Sequence, residues 1–280
     1  MKFLILIIII VSRMNAFFEY SYYSAKALSL GNSGLSSLLN SDAIFYNPAI
    51  LANLSKINFS FNYSKPFGEI INDSISIYNI SANKQLKIGG LGLGFYNLSS
   101  DNYSEILSLL GYGYDFRNFN FGINLKYGAV FFSNFERYEP ILNKKILNFI
   151  SFDFGFLINL EKPKRRIGFS IINIISTRNG LTDKKSLPLK FNLGISQNIK
   201  EFCHLGVDLI YSENYFNYGI GLEFLILKNI IEFNFGINRE KISTGISVNI
   251  KNFTIDWTSC YNILFEELNL SSIIGIRAKF

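Results

Sequence analysis

The residues able to do chemistry in this chain are mostly charges set singly between apolar neighbours. Lys126, Asp153, Lys190, Asp208, Glu223, Glu232, Asp256, Arg277 and Lys279 all share this setting, as in Phe152-Asp153-Phe154 and Ile255-Asp256-Trp257. Both signs are present, so the chemistry they support is mutual pairing on one face of a sheet. Asp256 and Arg277 fall on the last two candidate strands and are expected to pair across them. Glu223 and Glu232 flank the connection at Lys228-Asn229 and fall on a diagonal, where two carboxylates repel unless a cation intervenes. Catalysis has little to work with. His204 is the only histidine, spacing identifies no Ser or Cys partner for it, and no His/Cys cluster could build a zinc site. The expectation is no catalytic residue, no metal ligand, no cofactor and no enzymatic activity. Cys203 falls on the apolar parity and Cys260 on the polar one, so they are expected to be two separate thiols and not a disulfide.

The elements that position these charges follow from an alternation with a period of two. Phe119, Phe121, Ile123, Leu125 and Tyr127 fall on one side of a strand, and Asn120, Gly122, Asn124, Lys126 and Gly128 on the other. Ile150, Phe152, Phe154, Phe156 and Ile158 repeat the pattern against Ser151, Asp153, Gly155 and Asn159. This is the signature of a sheet with one apolar face. It recurs at 56–64, 73–81, 86–97, 106–116, 119–131, 149–160, 165–175, 189–199, 203–212, 216–227, 229–238, 242–250, 253–261 and 269–280. About fourteen such segments predict an all-β fold, a single transmembrane antiparallel β-barrel. The longest gaps, 134–145 and 177–188, are the candidate outer loops.

Periodicity alone does not say which face meets water, and a secreted β-sandwich would alternate too. The composition of the second face separates them, because Gly, Asn and Ser dominate where a soluble strand would show Lys, Glu and Thr. Gly90, Gly92 and Gly94 leave three successive positions without side chains, as if something packs closely against the wall. On the apolar face, Tyr96, Tyr127, Tyr211, Tyr261 and Trp257 are candidate interfacial girdle residues.

The start of the chain reads as an export signal. Lys2 is followed by an apolar run over 3–11 and by Ala16 as the small residue before a cleavage site, giving a signal peptide over 1–16. That run is far shorter than the roughly 20 residues a spanning helix needs. With no later candidate helix, the barrel is the remaining way to span a membrane. The formal charge of +6 falls by two when Lys2 and Arg13 leave with the leader. It is too mild and too scattered to argue for a nucleic-acid partner. The predicted organisation is a leader over 1–16, a short N-terminal segment over 17–55 and a barrel over 56–280.

Residues 24–54 break the alternation. Ser24-Ala25-Lys26-Ala27-Leu28-Ser29-Leu30-Gly31-Asn32-Ser33-Gly34 precedes Asp42-Ala43-Ile44-Phe45-Tyr46-Asn47-Pro48-Ala49-Ile50-Leu51-Ala52. Pro48 restrains Asn47 to extended geometry and is tolerated at the first turn of a helix, which Asn47 can then cap over 49–53. This stretch resembles the N-terminal region of the FadL-like outer-membrane proteins, the long-chain fatty-acid transporters and their relatives, including the PorV/PorQ-type barrels. Asp42 and Asn47-Pro48-Ala49 match that family's pattern residue by residue. Ser186-Leu187-Pro188-Leu189 and Phe253-Thr254-Ile255-Asp256-Trp257 are similar to strands of the PorV-like branch. The ending, with Gly275 and the final aromatic Phe280, resembles the assembly signal of outer-membrane barrels.

The resemblance implies localisation in the outer membrane of a Gram-negative-type envelope. It implies a hatch or plug segment in the lumen carrying Asp42, Asn47, Pro48 and Ala49, and a hydrophobic, fatty-acid-like ligand. Its implied partners are outer-membrane lipid and the barrel-assembly machinery. The alternative it implies is a non-transporting PorV-like barrel that binds secretion-system proteins.

Overall fold

The computed structural model describes residues 23–54, 57–66, 75–132, 146–162, 164–179, 186–212, 215–227, 230–263 and 270–280. The leader 1–16, the candidate loop 134–145, residues 180–185 of the second loop and Lys228-Asn229 lie outside them. Fourteen strands follow the N-terminal segment: β1 (Ile57–Lys65), β2 (Ser76–Leu86), β3 (Gly89–Ser99), β4 (Tyr103–Phe116), β5 (Phe119–Phe132), β6 (Ile146–Leu160) and β7 (Arg165–Ser176), then β8 (Lys190–Lys200), β9 (Cys203–Ser212), β10 (Tyr215–Ile226), β11 (Ile231–Asn238), β12 (Lys241–Ile250), β13 (Phe253–Asn262) and β14 (Leu270–Lys279). Each pairs antiparallel with its sequence neighbours, and β1 closes on β14 with Asn58 opposite Lys279 and Lys65 opposite Ser272. Closure leaves no edge strand, which is what lets a sheet sit in hydrocarbon. Among the described residues no helix is long and apolar enough to cross a membrane.

The alternation resolves into outside and inside. Leu93 (57% exposed), Ile123 (58%) and Trp257 (48%) belong to a large set of apolar side chains on the outer surface, while Asn120, Asn124, Ser151 and Asp153 are buried inside. An apolar exterior around a polar interior inverts the soluble pattern and marks a lipid-facing barrel. Short turns join β2 to β3, β4 to β5 and β12 to β13 at one end, where the C-terminus also lies beside Ile57. The wider gaps in sequence, such as those after Phe132 and Ser176, open at the other end.

Two expectations need correction. Tyr96 is not on the lipid face: Leu91, Leu93 and Phe95 point outward, so Tyr96 points inward, fully buried, with its ring edge-on to Tyr23 at 5.1 Å. Strand β2 continues past Ser81 to Leu86 because Asn83 and Gln85 keep the inward parity. Lys84 interrupts the apolar outward row, but it sits near the rim, where a long cationic side chain reaches water.

The strand β7 carries an irregularity. Phe152 pairs with Ile175 but Phe154 with Ile171, so β7 bulges toward Asn173, which takes a left-handed φ of 61°. Asn tolerates that region better than a branched residue would. Its backbone N–H donates to Asp153 Oδ1 at 2.9 Å, which holds the bulge against the inner wall.

Candidate functional site

Residues 23–54 lie against inward positions on nearly every strand. They form a short helix α1 (Ala25–Ser29) and two 3₁₀ turns, η1 (Ser41–Phe45) and η2 (Pro48–Asn53). Such irregular backbone satisfies only part of its own hydrogen bonding, so its other buried N–H and C=O groups need partners on the wall. The Asn/Ser-rich inner face supplies them. Ala25 N–H donates to Asn62 Oδ1 (2.9 Å) and Leu35 N–H to Asp208 Oδ2 (2.8 Å). Asn124 donates to the carbonyl of Ile44 (2.8 Å), Gln85 to that of Ala52 (2.9 Å) and Thr258 to that of Ala25 (2.8 Å). Wall glycines provide the space: a Cβ on Gly92 would stand 2.9 Å from Leu51 Cδ1, and one on Gly94 would stand 3.1 Å from Ile44 Cγ2.

Asn47, Pro48 and Ala49 form the tightest part of this seat. Asn47 caps η2, its Oδ1 accepting from Ala49 N–H at 3.1 Å. Its Nδ2 donates to the carbonyls of Leu35 (3.2 Å) and, on β6, Phe156 (3.1 Å). One side chain therefore ties the turn to an earlier part of the segment and to the wall. Pro48 and Ala49 run along Gly122 and Gly155, where added Cβ atoms would overlap their backbone or the Asn47 side chain. Asp42 is fully buried, and its carboxylate accepts from Ser81 Oγ (2.7 Å) and Asn62 Nδ2 (3.2 Å). Burial pushes the Asp42 carboxyl above the ordinary aspartate range, against the pull of its hydrogen bonds from Ser81, Ser24 and Asn62 and of the Arg277 charge.

The inward charges form separate groups. Lys126 Nζ stands 2.7 Å from Asp153 Oδ1 and donates to Asn173 Oδ1 at 2.5 Å, beside the β7 bulge. Asp208 and Lys190 line the same cavity as that pair. Arg277 makes two hydrogen bonds to Asp256, at 2.6 and 2.7 Å. Register sets Glu223 opposite Asn234 and Glu232 opposite Leu225, so the two carboxylates lie on a diagonal. Lys26 comes between them, pairing with Glu223 and standing 2.5 Å from Glu232, while His204 Nδ1 lies 2.8 Å from Glu223. Sequence reasoning missed Lys26 as a partner. It is the only charged residue in 24–41, which was the available signal.

The segment separates two cavities. One, of about 80 Å³, lies toward the long-connection end and is lined by Tyr23, Phe45, Tyr46, Leu107, Leu109 and Ile172 together with the Lys126–Asp153 pair. It continues into an apolar core that includes the inward-facing Val130, Phe132, Leu147 and Phe149. These inward apolar residues belong to the parity read as polar. The other, of about 410 Å³, lies at the short-turn mouth between Leu38, Leu39, Ile50 and a set of charged side chains.

No family model matches the sequence, and no curated protein matches it. Solved structures do. The toluene transporter TbuX of Ralstonia pickettii superposes with a TM-score of 0.66 at 12% identity, covering 94% of this chain and 100% of that one. The toluene transporter TodX of Pseudomonas putida gives 0.63 at 11% identity, with 91% and 96% covered. A FadL homologue of Pseudomonas aeruginosa gives 0.60 at 9% identity, with 91% and 97% covered. The fold is that of a FadL-like barrel.

In this barrel the raised Asp42 carboxyl makes a signed prediction. A folded state that binds the proton more tightly than the unfolded chain loses stability as pH rises through the ordinary aspartate pKa of about 3.9, until the folded carboxyl has also ionised. Wild type is therefore expected to lose stability relative to Asp42→Asn between acid and neutral pH. Urea midpoints of both proteins at several pH values check this, and a difference independent of pH would refute it.

Proposed function

We propose that this chain is an outer-membrane barrel that binds small hydrophobic molecules and passes them inward when its N-terminal segment yields around Asn47, Pro48 and Ala49. The observation that carries the reading is the cavity lying directly against that segment at the long-connection end, whose aromatic and aliphatic lining is interrupted by Lys126, Asp153, Lys190 and Asp208 and continues into the apolar core. Short turns face the periplasm in barrels of this kind, so that end is the outer one. The cavity's 80 Å³ is about half the roughly 150 Å³ of an apolar cavity known to hold benzene. Admission of even a single aromatic ring therefore requires lining side chains to move, and Tyr23, Phe45 and Tyr46 among them belong to the segment. Toluene transport by the neighbours TbuX and TodX supports a hydrophobic ligand.

In this reading, residues 1–16 are a leader removed on export and 17–55 a plug with Asp42, Asn47, Pro48 and Ala49 as its hatch. Residues 56–280 are the barrel, in contact with outer-membrane lipid. Gly275 and Phe280 form the signal read by the barrel-assembly machinery. The Lys126–Asp153 pair, Lys190, Asp208, Glu223, Glu232 and the Asp256–Arg277 pair hold the plug in place.

Binding of a fluorescent long-chain fatty acid to the detergent-purified barrel, with toluene as competitor, tests the proposal. Wild type should bind saturably, and an Asn47→Ala, Pro48→Ala double variant should shift the Kd by roughly threefold or more. No saturable binding to a barrel that still migrates heat-modifiably would overturn the ligand reading and favour the non-transporting, partner-binding one.

A further inference from the structure

The 410 Å³ cavity at the short-turn mouth has a chemistry unlike the first. Its lining includes Lys164, Arg166 and Lys279, with Asn159, Asn198 and Ser196 between them. Arg166 occupies an inward position on β7, in phase with Gly168 and Ser170. Its Nη2 donates to the carbonyl of Ser37 at 3.1 Å, which fixes the guanidinium, but its Nη1 is buried with no hydrogen-bond partner among the described residues. A buried charged donor left unmatched costs free energy that a ligand can recover.

The acids on the same wall make no hydrogen bond to this Nη1, and the Glu223 charge acts on Arg166 only through space. Glu223 and Glu232 are engaged by Lys26, Glu223 also by His204, and Glu232 Oε1 accepts from Asn249 at 2.9 Å. Arg277 is taken up by Asp256, and Arg165 donates to Gln197 Oε1 at 3.1 and 2.7 Å. Lys164, Arg166 and Lys279 thus remain without an ion pair among the described residues. On the adjacent turns Lys162 and Lys200 stand next to Glu161 and Glu201, which offset them, and Lys251 adds one further positive charge at this mouth. The lining as a whole holds Lys26, Lys164, Arg165, Arg166, Arg277 and Lys279 against Glu223 and Glu232, and a concave site with such an excess of one sign concentrates counter-ions.

We infer that this vestibule is an oxyanion-binding site, in which Arg166 Nη1 and the ammonium groups of Lys164 and Lys279 receive a carboxylate or phosphate group of a small solute. Carboxylates and phosphates supply several acceptor oxygens, and a guanidinium already anchored by one arm presents its other donors in a fixed plane. The site stands on residues apart from the hydrophobic cavity, so the two ligands can be tested independently.

The experiment is calorimetric titration of the full barrel in detergent at low ionic strength with inorganic phosphate and, separately, with butyrate. Saturable binding of at least one is expected. It should weaken about tenfold in Arg166→Gln, the scale of one lost charge-assisted hydrogen bond. It should weaken by a smaller factor in Lys164→Gln/Lys279→Gln, which changes only side chains at the rim. Arg178→Gln, the same charge change at the opposite end, is the control and should bind as wild type does. Absence of saturable binding of both anions, unchanged affinity in Arg166→Gln, or equal weakening in Arg178→Gln would overturn the assignment. Heat-modifiable migration shows that each variant is folded, and retained fatty-acid binding keeps this result separate from that of the hydrophobic site.

Discussion

Lys26→Met should lower the unfolding free energy of the barrel by about 3–5 kcal/mol, the range seen when one member of a buried charge cluster is removed. Lys26 is buried, contacts Glu223 and Glu232, and donates to Asn234 Oδ1 at 3.0 Å. Without it two carboxylates on a diagonal face each other in a water-poor lumen, with His204 and Asn249 as their remaining partners. The loss should therefore come mostly from the abandoned acids and not from the lysine's own contacts. Adding Glu223→Gln and Glu232→Gln to Lys26→Met should recover most of it. Urea unfolding in detergent, with the denaturant slope compared to exclude a changed denatured state, checks both proteins. A loss below about 1 kcal/mol for the single variant would mean that the bridge does little to hold the segment.

Gly122→Val should unseat the segment at its tightest point. An added Cβ at Gly122 would run into the carbonyl of Pro48 and the N–H of Ala49, both backbone atoms that no rotamer change can move aside. The wall cannot give way either, because Gly122 lies between Gly113 and Gly155 in paired strands. Ordinary overpacking costs about 1–3 kcal/mol, and a clash between two backbones belongs at or above the top of that range. The segment, held by side-chain hydrogen bonds and not by a ladder, is the part that moves. The expected result is a folded barrel with raised ion conductance in a planar bilayer and faster hydrogen exchange over 42–49. Gly206→Ala is the contrasting substitution: its Cβ would meet Ser33 Oγ at 3.0 Å and Ser37 Cβ at 3.4 Å, side chains that can adjust, so conductance should stay near that of wild type. Wild-type conductance in Gly122→Val would show that residues 47–49 do not close the lumen.

The sequence by itself determined the strands, their number and the direction of their faces, because in a barrel these depend on a period of two that each strand carries locally. Cys203–Ser212 is an example whose ends agree with the alternation residue for residue. The Asn47 cap was also legible, since a cap is a relation between residues two positions apart. The tertiary structure decided what depends on the width of the lumen and on contacts distant in sequence. Lys26 meets Glu232 across 206 positions, a choice that no local pattern encodes. Tyr96, Leu107, Leu109 and Phe149 stand at inward positions by the parity of their strands, but apolar residues are accommodated there because Tyr23, Ile44 and Phe45 fill the space they face, which no local pattern encodes. The bulge at Asn173 is settled by an Asp153 carboxylate on the neighbouring strand. The unpartnered Nη1 of Arg166 becomes visible only once the other charges of the short-turn mouth have found their partners.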